Sequence, residues 1–152
     1  MAELNEKDLK VFVDSVTNYF TQQTDKPAEV TAAYLTDADL PAYDYTGVID
    51  VSGGYRGSIY FSAPRLLLRQ LLLEMREPDI GENNLLDVVG EVTNTISGNA
   101  RQHFGSELDI SVPRVQHTEL KKVLQAVRER AFVILLRWQH YEAAVVVDMV
   151  AA

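Results

Sequence analysis

A chain of 152 residues with 47% apolar and 24% charged side chains has material for one core, which excludes a disordered polyelectrolyte and fits one compact domain better than two. Cysteine is absent, so disulfides, thiolate metal sites and cysteine nucleophiles are excluded. The formal charge of -8 and pI near 4.8 argue against nucleic acid or an acidic membrane as partner, because both select clustered Lys and Arg.

The opening Met1-Ala2-Glu3-Leu4-Asn5-Glu6 has no basic stretch followed by an apolar one, and no apolar run reaches the roughly 18 to 20 residues needed to span a bilayer. A soluble, cytoplasmic single domain over residues 1–152 is expected. From Leu4 to Phe20, the apolar positions Leu9, Phe12, Val13, Val16 and Phe20 recur at three- and four-residue intervals and predict an amphipathic helix. Beyond Pro27, Val30, Ala32 and Tyr34 alternate with Thr31, Ala33 and Leu35 as in a short strand, and Asp37 to Tyr43 reads as a loop.

Tyr45 to Val51 and Arg56 to Phe61 are β-rich runs around Ser52-Gly53-Gly54-Tyr55, which predicts an antiparallel hairpin. Ser62-Ala63-Pro64 opens a leucine-rich helix over Leu66 to Met75, with Ser62 or Ala63 as cap. After the loop Arg76 to Gly81, Asn83 or Asn84 caps a long helix that runs to Phe104 and stops at Gly105. Asp109 to Val115 contains Pro113 and is therefore an edge or interrupted strand. Thr118 to Val127 fits either a helix or the loop before a hairpin. Ala131 to Trp138 and Tyr141 to Val150 form a hairpin around Gln139-His140. The sum is an α+β layered domain, with two long helices packed on a mainly antiparallel sheet.

At about 100° per residue, Leu85, Val89, Val92, Ile96 and Ala100 of the long helix share an arc of roughly 80°, opposite Asp87, Glu91, Asn94, Gly98 and Arg101. A polar stripe is by default a solvated face. Asn94 and Gly98, however, each cost roughly 0.5 to 1 kcal/mol relative to alanine in a helix interior, and neither lies at an end where it could cap. Gly98 leaves room one turn from Asn94 for another protein's backbone, or else admits a neighbouring strand. A carboxylate and a carboxamide three residues apart project side by side. The Asn94 amide oxygen can accept from a water while its NH₂ donates elsewhere, which suits holding a water in line with a phosphorus atom. Glu91 can reach a lysine on a partner.

Asp87-x-x-x-Glu91-x-x-Asn94, continued as Thr95-Ile96-Ser97-Gly98-Asn99-Ala100, resembles the signature of the CheX, CheC and FliY chemotaxis phosphatases, and CheX is the nearer match because the motif occurs once. The order of elements fits along essentially the whole chain, and Pro113 resembles the family's downstream proline at a slightly shorter spacing. The resemblance implies an enzyme that dephosphorylates a phosphorylated CheY-like response regulator. In it, Asn94 orients the attacking water and Glu91 pairs with the regulator's lysine. Asp87, Gly98 and Arg101 are then candidates for partner contact. It also implies a homodimer with strand residues at the interface, and no cofactor of its own, the Mg²⁺ residing on the regulator.

Other chemistries find less support. Gly53-Gly54-x-x-Gly57 is followed by strand residues, not by the helix N-terminus a phosphate loop needs. His103, His117 and His140 have no zinc-ligand spacing, and no Gly-x-Ser-x-Gly elbow activates a serine. Lys121, Lys122, Arg128 and Arg130 read as a solvated face among acidic and apolar residues. The second reading is a non-catalytic adaptor of the same fold that binds a regulator without hydrolysis.

Overall fold

Asn5 starts the first helix by a reciprocal cap. Its side-chain oxygen accepts from the Asp8 N–H at 2.9 Å, and the Asp8 carboxylate accepts from the Asn5 N–H at 2.9 Å. The computed structural model describes residues 4–117 and 131–152. In chain order these form α1 (Glu6–Thr24), β1 (Ala28–Thr36), β2 (Tyr45–Gly53), β3 (Tyr55–Ala63), α2 (Arg65–Glu74), α3 (Glu82–Phe104), a 3₁₀ turn (Gly105–Glu107), β4 (Leu108–Ile110), β5 (Arg114–His117), β6 (Ala131–Trp138) and β7 (Tyr141–Ala151). The segment Thr118 to Val127 and the cluster Lys121, Lys122, Arg128 and Arg130 lie outside the described residues.

The strands make one sheet in the order β1-β6-β7-β3-β2-β4, with β5 also paired to β2, and each described pairing is antiparallel. Both expected hairpins are present, β2 with β3 and β6 with β7. The three helices of the described residues lie on one sheet face. Phe12, Val16 and Phe20 of α1, Leu67, Leu68 and Leu71 of α2, and Leu85, Val89, Val92 and Ile96 of α3 pack there with Phe61, Ile134, Trp138 and Val145 of the sheet. Each fully buried side chain of this size contributes on the order of 2 kcal/mol. The opposite face carries a smaller cluster, Tyr60, Val133 and Val146, under Leu40 of the 37–44 loop. The Tyr60 hydroxyl donates to the Pro41 carbonyl at 2.7 Å.

Two helix starts differ from the sequence expectation. Ser62 does not cap α2, because its Oγ lies in the sheet, accepting from the Tyr43 N–H at 2.7 Å and sharing a bond with Thr46 Oγ1 at 2.8 Å. Ala63 has no polar side chain, and Pro64 occupies the cap position without a side-chain bond. Asp44 supplies the acceptor across the chain, taking the Arg65 N–H at 2.8 Å. Neither Asn83 nor Asn84 caps α3. Gly81 stands at that position, and Asn84 instead donates to the Asp79 carbonyl at 2.6 Å.

The strand around Pro113 is interrupted. Val51 pairs with Ile110 and Val48 with Arg114, so residues 49 and 50 of β2 face three edge residues, 111 to 113. The surplus residue must leave the ladder, as in a bulge. Ser111 stays anchored at both ends of Asp50: its N–H donates to the Asp50 carbonyl at 3.0 Å and its Oγ accepts from the Asp50 N–H at 2.9 Å. Val112 is the residue expelled, and it is 83% exposed.

Candidate functional site

The long helix α3 is pinned to the sheet from below. Gly47 of β2 lies under Thr93, and a Cβ there would overlap Thr93 Oγ1 and stand 3.2 Å from Val89 Cγ1. Thr93, fully buried, returns its hydroxyl to the Val89 carbonyl at 2.7 Å. A Cβ on Gly90 would meet Val115 Cγ2 at 3.1 Å, so this glycine lets α3 approach β5. With Val88, Val89, Val92, Ile96 and Ala100 buried, Asp87, Glu91 and Asn94 face outward and are exposed. The two faces match those expected from the sequence.

Between α3 and the bulged edge lies an open groove of about 660 Å³, lined on the helix side by Asp87, Gly90, Glu91 and Asn94, and on the other by Ile110, Ser111, Val112 and Pro113. The structure thus brings together three of the five candidate residues, and sets Pro113 opposite them. Gly98 and Arg101 continue along the helix outside the groove's lining. Around Gly98 a Cβ would find nothing within 4 Å among the described residues, so no described strand requires this glycine.

Glu91 and Asn94 differ in how they are held. The Tyr19 hydroxyl of α1 donates to Glu91 Oε1 at 2.9 Å. Tyr19 is only 4% exposed, and burial, then the charge of Glu91 and its hydrogen bond, push the phenol far above its ordinary pKa. It is therefore a donor at any physiological pH. The Asn94 carboxamide has no hydrogen-bond partner among the described residues, and remains available to a molecule arriving from outside.

The helix pair that frames this contact runs antiparallel. Asp8 near the start of α1 meets His103 near the end of α3 at 2.7 Å, Phe12 meets Phe104 with ring centroids 6.2 Å apart, and Tyr19 meets Glu91. Tyr19, Gly90 and the wall at Ile110 to Val112 were not singled out by sequence reasoning. For Tyr19 a signal existed: a phenol on the apolar stripe of Phe12, Val16 and Phe20 buries a hydroxyl that needs an acceptor. Among the described residues no three His, Asp or Glu side chains converge as a metal cluster, and no helix is long and apolar enough to cross a membrane.

Among the described residues, a three-helix layer on a seven-stranded antiparallel sheet, with a carboxylate and a carboxamide presented side by side from α3, defines an α+β protein of the CheC/CheX-like fold. Residues 45–137 match the family model described as chemotaxis phosphatase CheX, and the chain belongs to that family. Solved structures agree on the fold. A CheC-like superfamily protein from Shewanella sp. PV-4 superposes with a TM-score of 0.80 at 20% identity, covering 97% of this chain and 99% of that one. The chemotaxis protein CheX from Vibrio vulnificus gives 0.77 at 19% identity, covering 95% and 99%. A chain of the CheX–CheY–BeF₃–Mg²⁺ complex from Borrelia burgdorferi gives 0.74 at 14% identity, covering 97% and 99%. No match was found among curated proteins.

Proposed function

We propose that this chain is a cytoplasmic, single-domain phosphatase that hydrolyses the aspartyl phosphate of a CheY-type response regulator. The observation that carries the reading is the pair on α3: an exposed Glu91 whose carboxylate is already oriented, one turn from an Asn94 whose amide has no partner among the described residues, in a groove open to a large partner. The family to which the chain belongs, and the capture of a similar fold in a complex with CheY, support the same partner.

In this reading the regulator brings the acyl phosphate, a lysine and its Mg²⁺, which supplies charge neutralisation on the phosphoryl oxygens. Glu91 pairs with the lysine and fixes the orientation of docking. The Asn94 side chain enters the regulator's site, its amide oxygen accepting a hydrogen bond from a water and its NH₂ donating to an acceptor nearby. The water oxygen attacks phosphorus opposite the aspartyl oxygen. As the new P–O bond forms and the bond to aspartate breaks, inorganic phosphate leaves and the carboxylate is restored. Since Asn94 takes no proton, its contribution is position, which converts a bulk-water encounter into an oriented one.

Asp87 and Val112 flank the pair, so the groove is both acidic and locally apolar, and Gly98 and the cationic Arg101 extend the same stripe beyond it. The homodimer belongs to the same proposal. The edge strand β1 exposes Val30, Tyr34 and Leu35, and strand residues of this kind suit a subunit contact. A strictly monomeric mass at micromolar concentration overturns the dimer.

The test is to mix the purified protein with candidate regulators charged by a small phosphodonor, and to follow phosphate release in the presence of Mg²⁺. Release accelerated well above the regulator's own rate is expected. Tight binding without acceleration would leave the adaptor reading in front.

A further inference from the structure

We infer that Tyr19 is a positioning residue for Glu91: its buried hydroxyl holds one carboxylate oxygen so that the other is presented, in a single orientation, to a cationic group of the docking partner. The inference rests on the reading of Glu91 as the partner's counter-ion, and adds a residue that lies outside the motif, on a different helix.

A glutamate on an exposed helix face ordinarily samples many rotamers, and loses that freedom only on docking. Here the freedom is lost on folding. Tyr19 is nearly inaccessible, its ring is fixed edge-on to Phe20 with centroids 5.9 Å apart, and Phe20 in turn packs on Trp138 at 5.3 Å. The hydroxyl therefore has little choice of position, and it donates to Oε1 at 2.9 Å across 72 positions of sequence. A hydroxyl has one proton to give, and this contact uses it on Oε1. No described hydrogen bond engages Oε2, which stays available in the groove. Burial keeps the phenol protonated, so the donor persists wherever Glu91 is ionised.

A purely structural role competes with this one, since a buried tyrosine hydroxyl needs some acceptor. The two roles predict different couplings. If Tyr19 acts through Glu91, removing its hydroxyl matters only while the carboxylate is there to be held. If it serves the core alone, its loss lowers stability and leaves docking alone.

The experiment is a double-mutant cycle on the full chain with Tyr19→Phe, Glu91→Gln and the pair, reading affinity for a regulator loaded with beryllofluoride and Mg²⁺, and separately KM and kcat for phosphate release. Tyr19→Phe keeps the ring and its packing. It is expected to weaken docking and raise KM by about tenfold, the scale of one hydrogen bond to a charged group, with kcat changed by no more than about twofold. In the Glu91→Gln background it should change docking no further. Wild-type docking by Tyr19→Phe while Glu91→Gln docks poorly overturns the Tyr19 inference alone, as does an effect that persists undiminished without Glu91. Wild-type docking by Glu91→Gln overturns the counter-ion reading beneath it as well. A measurement on the unsubstituted, unbound protein needs no variant to fold. Three-bond couplings of Glu91 should report one side-chain rotamer, and averaging over several would overturn the inference.

Discussion

Gly47 beneath α3 and Gly98 upon it are the same residue type serving opposite ends. At Gly47 a methyl group would collide with Thr93, so the glycine is required by this chain's own packing. At Gly98 a methyl group would touch none of the described residues, and the helix would gain from it. The same contrast runs along the whole helix. Its inner face, Leu85, Val89, Val92 and Ile96, is fully explained by contacts within the molecule, whereas its outer face carries Asn94 and Gly98 at a cost in helix propensity with no return among the described residues. Residues that fold the protein find their partners inside it, and residues without such partners point to one outside.

The contrast predicts that outer-face substitutions change function and spare the fold, and the largest such effect belongs to Asn94. Asn94→Ala should fold and melt as the native protein does or slightly above it, because alanine is the better helix former and no described side chain loses a hydrogen bond. Turnover of a matched phospho-regulator at saturating enzyme should fall by about 10² to 10⁴, the scale of a well-placed catalytic group. Near-native turnover would break the comparison at its most important point.

On the inner face the expectation is reversed. Gly47→Ala adds one carbon where β2 and α3 already touch, and neither Thr93 Cβ, 3.1 Å away, nor the β2 backbone can retreat without lifting the helix. A loss of about 1 to 3 kcal/mol is expected, the usual cost of overpacking, seen as a lower denaturation midpoint at unchanged slope. Activity per folded molecule should be nearly retained where the variant remains folded. An unaffected midpoint would mean that α3 rides more loosely on the sheet than the close approach of Gly47 implies.

A smaller, pH-dependent effect belongs to the start of α3. Glu82 accepts from Tyr45 at 2.7 Å and from Arg65 at 2.6 Å, and these bonds hold its carboxyl below the ordinary glutamate value. A depressed folded-state pKa contributes stability that is complete above the unfolded value of about 4.3 and disappears as pH falls through the folded value. Glu82→Gln should therefore reduce stability at neutral pH while flattening its decline in acid. An identical acid limb in both proteins would show that the bond network at this helix end does not titrate with folding.

How much of this was legible in the sequence depends on the range over which each feature is determined. The two faces of α3 follow from periodicity along one helix, and the hairpins from Gly53-Gly54 and Gln139-His140, so both were readable. The family motif was readable because it too lies within one helix. Caps failed where the acceptor came from elsewhere: Asp44 reaches Arg65 across 21 positions, a relation no local pattern encodes. Tyr19 failed for the same reason, since its contact with Glu91 depends on how α1 crosses α3. The far wall of the groove needed the ladder register, because only the unequal count between the Val51 and Val48 pairings expels Val112 toward the motif.

Gly98→Ala is the mildest change that still separates the two faces. None of the described residues lies within 4 Å of the position a Cβ would take, so substitution strains no described contact, and glycine in a helix interior is about 1 kcal/mol less favourable than alanine. The isolated protein should accordingly melt a few degrees higher. If the open space is reserved for the backbone of a docking regulator, one methyl group on the stripe should weaken that approach severalfold, in KM more than in kcat, because Asn94 one turn away keeps its amide. Gain of stability and loss of affinity in the same variant would tie the glycine to the partner, since no single internal contact can produce both. A variant that is more stable and docks normally would remove Gly98 from the docking surface and confine that surface to the groove between Glu91, Asn94 and Val112.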